Sequence, residues 1–438
     1  MHFGVQNVIF IIVLAVAIYF FSKSFRKIWR NIKLGKDVNR SDRPGERWAY
    51  MAKIALGQGK MVKRRAVAGF FHVVIYLGFI LINIEILEIL IDGVFGTHRL
   101  FAQPLGFLYD TAISFFEVLA VLVIIACVVF LWRRNVNVVD RFKALDGWPK
   151  KDGNYILIIE IALMLALLVL GAAEANFDDA QAGPWLISSM LAPIFSGVSQ
   201  ENLIIIERVA WWVHIVGILL FLNYLPISKH FHIIMSFPNV WHAKLQPKGE
   251  FNNLESVKKE VETMMDPNAD PYAAPAEGED AVPERFGAKD ANDLSWVQLM
   301  NAYSCTECGR CTASCPANIT GKKLSPRKIM MDTRDRIVEI GKNIDANGGE
   351  FKDDGKSLLD DYITREELWA CTTCNACVEA CPIAIDPMSI IVDMRRYLVM
   401  EESSASQQVN VMMTNVENNG APWAYPAADR GNWINEMS

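Results

Sequence analysis

Residues 304–316 read SCTECGRCTASCP, and residues 370–382 read ACTTCNACVEACP. Both follow C-x2-C-x2-C-x3-C-P, at Cys305, Cys308, Cys311 and Cys315 before Pro316, and at Cys371, Cys374, Cys377 and Cys381 before Pro382. Three closely spaced thiolates can bind three irons of one cubane, while a fourth cysteine followed by proline serves the other cluster. The spacing therefore predicts two 4Fe-4S clusters with crossed ligation. One takes Cys305, Cys308, Cys311 and Cys381; the other takes Cys371, Cys374, Cys377 and Cys315. Zinc also uses C-x2-C pairs, but a four-ligand zinc site gives no reason for the x3-C-P ending or for its repetition. The ninth cysteine, Cys127, lies inside an apolar run and reads as ordinary packing.

Hydrophobic residues make up 52% of the 438-residue chain and charged residues 21%, too apolar for a disordered or ordinary soluble protein. The net charge is −6, divided as +5 over residues 1–228 and −11 over the remainder. No basic domain exists to grip nucleic acid. Tight cysteine clustering with one residue left over reads as metal ligation rather than disulfides.

Five apolar runs have membrane-spanning length, at about 3–21, 66–91, 111–132, 155–173 and 204–227. The first has no basic n-region before it and no A-x-A site after it, so it is expected to stay as a membrane helix. Residues 22–65 hold fourteen Lys and Arg, and residues 133–154 hold six, whereas residues 173–202 hold none. Positive connections face the cytoplasm. That places the N-terminus outside and everything beyond residue 228 inside a cytoplasmic membrane. Trp132, Trp211 and Trp212 fall near the proposed membrane edges.

The expected fold is all-α: a five-transmembrane-helix bundle (1–228), an interfacial segment and linker (229–290), a cytoplasmic α-helical two-cluster ferredoxin domain (291–400) and a polar tail (401–438). The stretch KHFHIIMSFPNVWHAKL reads as amphipathic and lying along the inner membrane surface. Residues 265–290, rich in Pro, Ala and acids, read as linker. Pro326 and Pro387 suit the first turns of helices. The tail is expected to be mobile or draped over a partner.

The segments YSCTECGRCTASCPANITGKKLSPRKIM and LWACTTCNACVEACPIAIDPMSIIVDMRR resemble the helical two-cluster ferredoxin module of the heterodisulfide reductase C subunit and of the glycolate oxidase iron-sulfur subunit. The 55 residues between Cys315 and Cys371 fit a helical version with an inserted segment. In that family a partner with CCG motifs performs the disulfide or organic redox chemistry. This sequence has no such motif, no G-x-G-x-x-G opening a βαβ unit and no P-loop. The resemblance therefore implies a separate cytoplasmic catalytic subunit, with CCG motifs or of the electron-transfer flavoprotein kind.

Histidines within membrane helices are costly unless paired or functional. His72 lies near the cytoplasmic end of the second run, His214 in the outer half of the fifth, and His230 and His232 at the fifth run's inner end. His214 and His232 are eighteen residues apart, which in an unbroken helix is five turns on one face, about 27 Å; Pro226 intervenes and can kink it. Such a face suits two stacked b-type haems. The membrane half resembles the gamma subunit of respiratory nitrate reductase and the E subunit of heterodisulfide reductase, five-helix quinol-linked cytochromes b. In the former, the second and fifth helices each give two histidines. The resemblance implies an inner haem between His72 and His232 or His230. An outer haem on His214 lacks its partner, since Ile82 and Asn83 stand where it belongs, and His98 would have to fold back to serve. His2 and His242 read as incidental.

Glu85, Glu88, Glu117, Glu160 and Glu207 lie in or beside apolar runs. Each can serve proton exchange with a quinone, or pair with Arg99 or Arg208. The sequence thus reads as a multi-pass electron-transfer subunit in membrane lipid. It would pass electrons between a quinone pool, through one or two b haems, and a cytoplasmic redox partner, through two 4Fe-4S clusters. The alternative is a haem-free anchor carrying an iron-sulfur wire.

Overall fold

Nothing between Val5 and Lys33 is glycine or proline, so the first helix does not stop where its hydrophobicity stops. It continues through the basic stretch FSKSFRKIWRNIK, and its 29 residues span about 43 Å, well beyond a hydrocarbon core of about 30 Å. The structure, a computed structural model, describes residues 4–63, 65–143, 147–178, 183, 185–247, 249–268 and 285–437. The principal helices are α1 (Val5–Lys33), α2 (Pro44–Met51), α3 (Ala66–Phe95), α4 (Phe107–Asn135), α5 (Gly147–Glu174), α6 (Gln200–Tyr224), α7 (His232–Trp241), α8 (Trp296–Ser304), α9 (Pro326–Ala346), α10 (Pro387–Met400) and α11 (Gln407–Asn419). Among the described residues there is no strand, only isolated bridges at Lys36–Ser295 and Leu359–Ile363.

Five helices, α1, α3, α4, α5 and α6, are long and apolar enough to cross a membrane. Helix α5 packs against both α4 and α6, α3 against α4, and α1 lies across α3 and α6. The approach of α6 to α5 is close at Gly217, where a Cβ would sit 2.6 Å from Leu163 Cδ2 and push that side chain aside.

The cysteine-bearing half is built as two copies of one plan. Ser295 caps α8, accepting from Gln298 N at 3.4 Å, and Thr364 caps Arg365–Ala370, accepting from Glu367 N at 3.3 Å. Each capped helix ends one residue before the first cysteine of its motif. Each motif carries a short helix, Arg310–Ala313 or Ala376–Ala380, and then leads to a proline-started helix, α9 or α10. Leu299, Met300, Ile329, Ile337, Ile390 and Leu398 form the core, and it runs without a break into Ile28, Ile32, Phe221, Leu225, Phe231 and Met235 of the membrane half. This half is therefore docked on the bundle. Lys27 and Arg30 reach Asp345, Asn31 Nδ2 donates to Tyr303 Oη at 2.9 Å, and Lys229 Nζ lies 2.9 Å from Glu307.

Arg336, fully buried, closes the loop before α8 by pairing with Asp290 at 2.7 Å and with Asp354 at 2.6 Å. Its loss strands two carboxylates. Arg336→Ala is expected to cost about 3–5 kcal/mol, read as a lowered unfolding midpoint of the cysteine-bearing half in a thermal scan. An unchanged midpoint would show the network to be dispensable.

Within the stretch expected to run along the inner membrane surface, α7 sits between α2 and α8, with Met235, Ser236, Asn239 and Val240 buried, because its apolar positions find a protein surface on both sides. The tail carries regular structure, including α11, capped by Ser406. Most of the expected linker, residues 269–284, lies outside the described residues, as does His2.

Candidate functional site

In both cysteine motifs the second and fourth residues after the first cysteine take left-handed backbone: Glu307 (φ 56°) and Gly309 (φ 71°), Thr373 (φ 53°) and Asn375 (φ 60°). Such turns direct successive N–H groups inward and make a concavity suited to an anionic group. Thr373 N lies 3.4 Å from Cys371 Sγ, and Ile385 N lies 3.3 Å from Cys381 Sγ. Cys305, Cys308, Cys311 and Cys381 line one cavity, and the other four cysteines do not reach it. Cys315 lies instead within electrostatic reach of Cys371 and Cys377. Cys311 also senses Cys377, so the two groups are adjacent.

Burial pushes the Cys305 thiol up to about 12 and Cys381 up to about 11, with Cys311, Cys371 and Cys377 raised as well. Thiolates placed there call for a cationic centre. Around zinc all four sulfurs lie about 2.3 Å from one point; among the described residues no three His, Cys, Asp or Glu side chains gather so closely. The wider grouping fits an iron-sulfur cluster, whose cysteines each hold a different iron.

The histidines fall into three places. His72, in the second turn of α3, has its ring 6.4 Å from that of His232, the first residue of α7, and His230 lies 5.5 Å from His232. All three line the same cavity as Cys305, Cys308, Cys311 and Cys381. His72 Nδ1 and His230 Nε2 are buried with no hydrogen-bond partner, while His232 Nδ1 lies 3.1 Å from the Lys229 carbonyl. Burial holds His230 and His232 below the usual imidazole range, keeping them neutral, the form a metal binds. His214 Nδ1 lies 2.9 Å from the Leu163 carbonyl, and its buried Nε2 has no partner. That arrangement orients a ligating histidine. It faces a second cavity with Glu160, Met164 and Phe221.

His98 is elsewhere. Its Nε2 is 3.3 Å from Glu174 Oε1, and it lines a third cavity with Phe10 and Trp212, so it does not fold back to His214. Nor do His214 and His232 share one helix face. Helix α6 ends at Tyr224, Pro226 lies in a 3-10 turn (Leu225–Ile227), and Ser228 is extended (φ −115°, ψ 160°), so His232 opens a new helix. That break, rather than a continuous face, brings His232 to the level of His72.

Residues 304–385 match the family model described as a 4Fe-4S dicluster domain. Residues 304–385 are a 4Fe-4S dicluster domain. Along 98% of its length the chain is 30% identical to the "Probable iron-sulfur-binding oxidoreductase FadF" of Bacillus subtilis, covering 60% of that protein. It is 27% identical, again over 98% of its length, to the "EtfAB:quinone oxidoreductase" of Syntrophomonas wolfei, covering 59% of it. Over 23% of its length it is 37% identical to the C subunit of the ferredoxin/F(420)H(2)-dependent CoB-CoM heterodisulfide reductase of Methanosarcina acetivorans, covering 49% of it. The chain thus spans about 60% of the length of the first two relatives. No solved structure matches it. Its relatives are iron-sulfur oxidoreductases and heterodisulfide reductase C subunits.

Beyond the dicluster domain, the membrane carboxylates separate by partner. Glu88 accepts from Tyr109 Oη at 2.7 Å and Phe101 N at 2.8 Å; Glu117 accepts from Ile187 N at 2.8 Å and from the Ser188 hydroxyl. Glu85 lies 3.6 Å from Arg99, and Glu207 pairs with Arg208. Glu160 differs: it reaches His230 at 3.8 Å and also lines the His214 cavity. Sequence reasoning missed the arginines around the dicluster domain. Arg310 sits inside the first cysteine motif, where a cation beside thiolates is a readable signal, but Arg141 and Arg327 are brought in from distant segments.

Proposed function

We propose that this chain is the membrane electron-transfer subunit of a quinone-linked oxidoreductase. Its dicluster domain faces the cytoplasm, the side to which the basic connections point, and the N-terminus faces outward. The observation that carries this reading is the cavity lined both by His72, His230 and His232 and by Cys305, Cys308, Cys311 and Cys381. Two crossed 4Fe-4S clusters and a b-type haem, when bound, supply one-electron carriers. The chain's part is to hold their ligands within one enclosure and to keep bulk water from the histidine side.

His72 with His232, His230 beside them, would hold the inner haem. His214, with its free Nε2, is the ligand for a second, outer haem. Glu160, between the two histidine sites, is the side chain best placed to exchange a proton with a quinone. The relative named EtfAB:quinone oxidoreductase supports quinone at one end and an electron-transfer flavoprotein as the soluble partner, ahead of a subunit with CCG motifs.

The test quantifies haem and iron together in membranes carrying the full chain and follows the reduced α-band on adding a quinol analogue or reduced flavoprotein. A b-type band that responds is expected. A preparation with about eight irons per chain and no haem α-band supports the haem-free anchor instead and defeats the haem reading.

A further inference from the structure

The two cysteine groups sit in unequal electrostatic surroundings. A Cβ placed on Gly309, next to Cys308, would lie 3.1 Å from Arg327 Nη1 and 3.2 Å from Arg141 Cβ, so both arginines press on the first motif's loop. Arg310 Nη1 donates to the Met61 carbonyl at 3.0 Å, and its Nη2 approaches Met61 Sδ at 3.1 Å, both neutral partners. Arg327 Nη1 donates to the Arg141 carbonyl at 2.7 Å, and Arg141 Nε is buried with no partner. Among the described residues none of these three arginines has a carboxylate within ion-pair distance. The nearby acids are engaged by other cations, Glu307 by Lys229 at 2.9 Å and Arg334 at 2.8 Å, and Glu379 by Lys60 at 3.7 Å and Lys63 at 3.9 Å. Around the second group the charges balance: Arg395 donates to the carbonyls of Leu368 and Cys371, and Asp386 lies within reach of Cys377. Cys374 of that group is exposed.

Resting on the proposed cluster ligation, we infer that Arg141 and Arg310 make the site of Cys305, Cys308, Cys311 and Cys381 the higher-potential one. Electrons then run inward, from the exposed Cys374 side towards the histidines. Each transfer moves one electron. The outer site is oxidised by one unit as the inner site is reduced by one, with no bond broken and no proton exchanged. A reduced flavin of the partner supplies the electron, and the quinone finally accepts it. Cluster potentials follow net charge, hydrogen bonding and exposure. Burial of the inner site opposes added negative charge, but the same low dielectric strengthens attraction to guanidinium groups that no carboxylate neutralises. The unbalanced cations set the sign.

The test is an anaerobic redox titration of the full-length protein in detergent, monitored by electron paramagnetic resonance. Two one-electron waves are expected, and Cys381→Ser should abolish the upper. Arg310→Gln should lower the upper wave by at least tenfold in its reduction equilibrium, about 59 mV for one electron, and leave the lower in place. Arg310→Lys should restore most of the loss, and Arg395→Gln should move only the lower wave. If Arg310→Gln fails to assemble its clusters, Arg141→Gln decides by the same criterion. Coincident waves, an upper wave that ignores both arginines, or Cys381→Ser removing the lower wave overturns the inference. Iron far below about eight per chain instead overturns the cluster reading on which it rests.

Discussion

Replacing Cys381 with serine is expected to destroy or cripple the cluster held by Cys305, Cys308 and Cys311, more than 60 residues away in sequence, and to spare the one held by its own neighbours. Cys381 lines the same cavity as those three cysteines, and its closest electrostatic partner among them is Cys308. A serine hydroxyl is a far weaker iron ligand than a thiolate, and Ile385 N donates to Cys381 Sγ at 3.3 Å. Non-haem iron per chain should fall from about eight towards about four. Cys315→Ser should give the complementary loss, taking the cluster of Cys371, Cys374 and Cys377. Each cluster has a distinct spectrum once its partner is removed, so comparing the two variants settles the wiring. Damage by Cys381→Ser confined to the signals of Cys371, Cys374 and Cys377 would falsify crossed ligation.

The second large effect is at His72. His72→Ala is expected to abolish the inner b-haem absorption and leave both clusters intact. The α3 helix reaches the cavity here with a ring 6.4 Å from His232, and a methyl group offers an iron nothing. His232→Ala should match it, because the Lys229 carbonyl, 3.1 Å from Nδ1, orients that ring towards the cavity; a band that survives there but is lost in His230→Ala assigns the ligand to His230 instead. His98→Ala should leave the spectrum unchanged, since that ring is engaged with Glu174 at the other end of the bundle. His214→Ala then counts haems: a partial loss of the α-band reports an outer haem, and no loss assigns His214 to packing alone. Survival of the full band in His72→Ala would remove the inner site from the scheme.

Much of this was legible in the chain itself. Hydrophobic runs of spanning length became five helices because a backbone in lipid must satisfy its own hydrogen bonds. The cysteine pattern fixed a two-cluster module because a cubane needs its ligands at short, regular intervals, and glycine at 309 and asparagine at 375 mark the left-handed turns that wrap it. Helix starts at Pro326 and Pro387 were equally plain. What misled was continuity. Periodicity carried His214 and His232 along one helix, whereas Pro226 and extended Ser228 end that helix between them. Amphipathicity called for an apolar cover over α7 without saying which, and within the protein α2 and α8 supply one.

Local spacing by itself pointed to the cysteines as iron ligands, since residues three apart come together once the chain between them turns, as it does at Gly309 and Asn375. It also determined which segments belong in lipid, since that depends on composition summed along one helix. Only the tertiary structure decided that His72 and His232 meet, that they open onto the same cavity as Cys381, and that uncompensated arginines from separate segments converge on the first motif. Those are contacts between residues tens to hundreds of positions apart. Their distances are set by how helices dock and where the chain breaks, which no periodicity along a single segment encodes.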